Sequence, residues 1–95
     1  MTIRMGPHEF DDVVYDGVAD VLYLHKGKPV PAETQATPEG HAVRLGDAGE
    51  IVGVTIVNAK WLSERDGRIV VSAPERLEVS AEDLAAALGW LSRTV

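Results

Sequence analysis

The sequence has no cysteine. A disulfide framework, a thiolate metal site and a thiol nucleophile are therefore all excluded. Positive charge is short: nine Lys and Arg stand against fifteen Asp and Glu, a formal net charge of −6. A phosphate backbone is held by a basic footprint, so this balance argues against nucleic acid as the main partner. Aromatic residues are scarce: one Phe, two Tyr and two Trp. No apolar run approaches the roughly 20 residues of a membrane-spanning helix, and no membrane partner is expected. The opening Met1-Thr2-Ile3-Arg4 carries no apolar segment ahead of a cleavage site. The expectation is a chain without a signal peptide and with a cytoplasmic address. No serine lies in a Gly-x-Ser-x-Gly elbow, and Gly46 to Gly53 lacks the Gly-Lys-Ser/Thr close of a phosphate-binding loop.

What is present is valine, 13 of 95 residues, within a Leu, Ile, Val and Phe total of 26. That apolar fraction exceeds the range of disordered chains, and the length suits one domain, residues 1–95. β-Branched side chains suit pleated surfaces. Short strands are predicted at Val13–Tyr15, Asp20–His25, Val30–Thr37, His41–Leu45, Glu50–Val57, Trp61–Arg65, Arg68–Ser72 and Leu77–Val79, with glycine between many of them. Leu22 and Leu24 point one way and Val21 and Tyr23 the other, which predicts a central strand covered on both faces. His41 and Arg44 are expected to be exposed. Asp66-Gly67 between two such runs reads as a hairpin turn. Residues 1–12 read as an acidic N-terminal arm and 13–79 as the sheet. Ser80-Ala81-Glu82-Asp83 resembles a capping box. Leu84, Leu88 and Leu91 then recur at i, i+4 and i+7, which predicts one C-terminal helix over 80–93. The expected fold is α+β: an antiparallel β-meander of five to seven strands with that helix packed on it.

The stretch Tyr15-Asp16-Gly17-Val18-Ala19-Asp20-Val21-Leu22-Tyr23-Leu24 resembles the opening motif of a small bacterial family labelled domain of unknown function 2283. Gly49-Glu50-Ile51-Val52-Gly53-Val54-Thr55-Ile56 is similar to that family's second motif. The resemblance spans about residues 13–60. Its motif positions are Tyr15, Asp16, Ala19, Asp20, Leu22, Tyr23, Gly49 and Gly53. The chain departs from the pattern at Thr55, where members often carry Glu. The resemblance implies a small β-rich domain of no established activity. It also implies, for some members, a small basic ribonuclease-like partner, in the manner of toxin–antitoxin pairs.

Asp16 and Asp20 carry two readings. Paired carboxylates can divide acid and base work, and with His25 nearby a metal, small-ligand or catalytic site is conceivable. Against this, both flank a glycine turn, where Asp side chains ordinarily accept backbone amides. No spacing matches a zinc helix or a calcium loop. The expectation is a structural turn, with no catalytic residue, no metal and no cofactor. Tyr15 and Tyr23 read as packed strand residues. Trp61 and Trp90 read either as core or, with Leu84, Leu88 and Leu91, as an interface, since Trp is enriched at binding hot spots. Residues 1–25 hold five acids against Arg4. This asymmetry either steers a basic partner or keeps the terminus soluble. The expected function is a non-enzymatic protein-interaction module, with homodimerisation the simplest use of its surface and antitoxin-like binding of a small basic protein the sharper form. The alternative is a metal- or small-ligand-binding domain or enzyme using Asp16, Asp20 and His25.

Overall fold

A computed structural model of the chain describes residues 1–28 and 30–90. The first elements are β1 (Ile3–Met5) and β2 (His8–Phe10), an antiparallel hairpin turned at Gly6-Pro7. The expected acidic arm is therefore folded structure. Ile3, Met5 and Phe10 are buried, because three large apolar side chains in ten residues are more favourable in the core than in water.

The next strands are β3 (Asp12–Asp16), β4 (Val21–His25), β5 (Glu33–Ala36), β6 (Ala42–Leu45) and β7 (Ile51–Val57). They form one antiparallel sheet in the order β3-β4-β7-β6-β5. This is not the expected simple meander, since the connection after β4 crosses to the far edge and the chain returns through β6 and β7. Period-two alternation sets the two faces. Leu22, Leu24, Val43, Val54 and Ile56 are buried on the inner face. Val14, Tyr23, Thr55, Ala42 and Ala36 stand in register across the outer face. β4 is an interior strand as expected, but its outer face is covered only in part: His25 is buried while Tyr23 is 38% exposed.

The second departure is α1 (Ala59–Asp66), a helix where a strand and hairpin were expected. Its buried residues are the small Ala59 and Ser63, so it carries no stripe of large apolar side chains for a sequence reading to find. Asp66-Gly67 ends this helix. Gly67 takes φ 77° and its N–H donates to Ser63 O. A left-handed glycine serves a helix C-terminus as well as a hairpin, and the local signal is the same.

β8 (Arg68–Val71) and β9 (Leu77–Ser80) pair as a separate two-stranded sheet. α2 (Ala81–Leu88) follows, with the Ser80 hydroxyl accepting the Asp83 N–H at 3.0 Å. Gly89, at φ 70°, caps this helix after Leu88, five residues short of the expected end. Leu91 and the rest of that expected helix to 93 lie outside the described residues. α2 packs beside β1, β9 and α1, and Leu84 is fully buried. Among the described residues, the fold is thus α+β with two helices, one five-stranded sheet and two two-stranded sheets. One apolar cluster joins the inner face of the five-stranded sheet to side chains from both hairpins and both helices. Among the described residues, no helix is long and apolar enough to cross a membrane.

Candidate functional site

The first motif closes on Asp20. Asp16 Oδ1 accepts the N–H groups of Val18 (3.0 Å) and Ala19 (3.2 Å), which makes the turn compact. The turn delivers Asp20 with φ 58°, a left-handed conformation that Asp tolerates. Its side chain reaches forty residues along the chain. Asp20 Oδ1 accepts the Tyr15 hydroxyl and the Lys60 N–H, both at 2.8 Å, and Oδ2 accepts the Trp61 N–H at 3.2 Å. Asp20 O also accepts the Ala59 N–H at 3.0 Å. The first N–H groups of a helix lack internal partners. The local residue Asn58 makes no side-chain cap, and no acid lies in the first turn of α1. Asp20 does both jobs from another strand, satisfying the amides and placing a negative charge at the positive end of the helix dipole. Burial, then the bond to Asp20, and then the neighbouring carboxylates push the Tyr15 phenol up to about 12. The phenol therefore remains a donor at neutral pH.

His25 is at the other end of β4, roughly 16 Å away at the rise of an extended strand. Its cross-strand partner is Gly53. A Cβ on Gly53 would lie 2.8 Å from His25 Cδ2 and from Leu24 O, so the imidazole occupies the space a side chain would need. Arg44 Nη1 lies 3.5 Å from His25 Nε2, and Arg44 Nη2 donates to Val30 O at 3.3 Å. Asp16, Asp20 and His25 therefore serve a turn, a helix start and a packed glycine row, and they do not converge in one cleft. Among the described residues, no group of three or more His, Asp and Glu is arranged to hold a metal ion.

The remaining motif residues have structural places. Leu22 is in the core, Tyr23 is on the outer face, and Gly49 turns the β6–β7 hairpin. Of the expected interface, Trp61 is 54% exposed. Leu84 is core, which removes it from any contact surface. Leu88 and Trp90 pack partly buried against the core, and Trp90 meets Tyr15 edge-on at 5.0 Å. Leu91 lies outside the described residues.

A cleft of about 440 Å³ was not anticipated. It is lined by Glu39, His41, Leu62, Arg65, Asp66, Arg68, Ile69 and Val70. His41, expected to be exposed, is 4% exposed. It precedes Val43 by two residues and so shares that buried face, the signal that could have found it. Its Nδ1 accepts the Val57 N–H at 3.1 Å. Burial pulls the imidazole below its ordinary value, partly opposed by the Glu39 charge. Burial works to raise the Glu39 carboxyl, but hydrogen bonds from Ser72 and Thr37 outweigh it and hold it below the usual range. Arg65 chelates Asp66 at 2.8 and 2.9 Å, and Arg68 meets Glu78 at 3.1 Å. Each charged group lining this cleft thus has a partner within the fold.

Among the described residues, seven large apolar side chains are exposed; of these Val14, Tyr23 and Val57 lie on the outer sheet face, Val18 lies in the β3–β4 turn and Trp61 lies on α1. Comparison with known proteins places the motif-bearing segment. The family described as "Protein of unknown function (DUF2283)" matches residues 12–60. That span runs from the start of β3 to Lys60, whose amide Asp20 holds. No curated protein and no solved structure matches the chain.

Proposed function

The chain belongs to the DUF2283 family over more than half its length, and from that premise we propose a non-enzymatic protein-interaction module that presents its outer sheet face to a basic protein. The observation that carries this reading is the exposed apolar set Val14, Tyr23 and Val57 on the outer face, with Trp61 exposed on α1, which follows β7. Folded monomers rarely leave such side chains grouped without a use, and Trp is favoured at interface hot spots. The net charge of −6 supports a cationic partner over a second copy, because two like-charged copies repel. An antitoxin-like role is the sharper form of the same proposal. It now rests on the family resemblance and the overall charge, since the supposed free acidic arm is a core hairpin.

The test is capture of the tagged protein from its native host, with intact-mass analysis, beside the variant Tyr23→Glu/Trp61→Glu. A stoichiometric basic polypeptide on the parent chain, lost from a variant of unchanged melting temperature, supports the reading. Recovery of the parent chain alone overturns it. Sedimentation separates the homodimer: a parent dimer that the double substitution dissociates assigns the face to self-assembly instead.

A further inference from the structure

Among the described residues, strand β3 is an unpaired edge of the five-stranded sheet. Among the described residues, no backbone hydrogen bond reaches its outer side. Exposed edges are templates for another strand unless they are short, charged or covered. The opposite edge, β5, is a four-residue polar strand, Glu-Thr-Gln-Ala. β3 is longer and carries Val13, Val14 and Tyr15 between two acids, Asp12 and Asp16. Asp12, Val14 and Asp16 share the outer face by period two, and Val14 is 54% exposed. Among the described residues, neither carboxylate has an ion-pair partner.

The charge pattern selects the occupant. Antiparallel pairing of two β3 strands about Val14 sets Asp12 opposite Asp16 of the second copy, twice. Like charges directly opposite are destabilising, so the edge rejects itself. The same spacing accepts a strand with Lys or Arg at i and i+4 and an apolar residue midway. We infer that β3 takes up an extended cationic segment of a partner protein as a sixth strand, with basic side chains opposite Asp12 and Asp16 and an apolar one opposite Val14. Main-chain hydrogen bonds supply affinity in such strand addition, and the flanking side chains supply choice. The inference rests on the interaction-module reading and names the partner's chemistry.

The test uses the full chain and a synthetic peptide, acetyl-Thr-Lys-Val-Val-Val-Lys-Thr-amide. Binding is followed by calorimetry and by the fluorescence of Trp90, which packs on Tyr15 of this strand. Two further peptides carry Glu for both Lys, or N-methyl groups on the valines. The cationic peptide is expected to bind, and to bind more weakly as salt is raised. The Glu and N-methyl peptides are expected to fail. Asp12→Lys, which leaves the Asp16 turn intact, is expected to weaken the cationic peptide about tenfold. Absence of cationic-peptide binding overturns the inference. So does indifference to Asp12→Lys, or equal binding of the N-methyl peptide. A basic protein captured by the parent chain, with no binding of the peptide, overturns the strand addition while leaving the interaction module standing.

Discussion

Asp20 joins three structural decisions in one side chain. It ends a turn, holds the Tyr15 hydroxyl and starts a helix forty residues away. Asp20→Ala strands two helix amides and a half-buried phenol, and is expected to cost about 2 kcal/mol in urea denaturation. Tyr15→Phe removes one of those bonds and is expected to cost about 1 kcal/mol. His41 supplies a pH signature. Unfolded, its ring takes up a proton near 6.5, while in the fold burial lowers that value. Between the two values the unfolded chain holds more protons. Stability from this residue is therefore full above about pH 6.5, falls as pH drops toward the folded value, and levels off below it. His41→Asn retains an acceptor for the Val57 amide without the titration. Melting temperatures across this window should fall less steeply for that variant than for the parent chain.

At the scale of elements, the two helices contrast in how they are specified. α2 is written locally: a Ser80 cap, acids at positions 82 and 83, alanines, and Gly89 at the end. α1 has neither a side-chain cap of its own nor a large apolar stripe, and eight isolated residues fall short of a stable helix in water. It exists because Asp20 holds one end and Gly67 closes the other. Gly67→Ala forces an alanine to φ 77° and is expected to cost about 1–2 kcal/mol, read by urea denaturation. A smaller loss is expected for Gly67→Asn, because Asn tolerates the left-handed conformation.

At the scale of the whole molecule, the inner and outer faces of the main sheet divide labour. The inner face is sealed by the β1–β2 hairpin, both helices and the β8–β9 pair in one apolar cluster. Phe10 is fully buried there although its segment is acidic. Phe10→Ala is expected to cost about 3–5 kcal/mol by urea denaturation, the range for emptying a large core site. A solvated arm would show no change. The outer face exposes Val14, Tyr23 and Val57, and its edge strand β3 carries charge that discourages self-pairing. Stability thus comes from one side of the sheet and the proposed recognition uses the other, joined through the alternation of single strands such as Val21–His25.

The sequence by itself determined that β3 to β7 are strands, the glycine turns, the capped start of α2 and the family motif, because β-branched residues, turn residues and helix caps act locally. Only the tertiary structure decided that Asp20 is a helix cap, that His41 is buried, and that residues 1–10 belong to the core. It also decided that Asp66-Gly67 ends a helix. The physical reason is common to these cases. A carboxylate and an imidazole each have several ways to satisfy their groups, and the one adopted depends on partners 16 to 41 residues distant, while a left-handed glycine suits a hairpin and a helix end alike. The strand order is of the same kind, since local turns specify neighbours while the crossing after β4 is settled by which faces must be buried together.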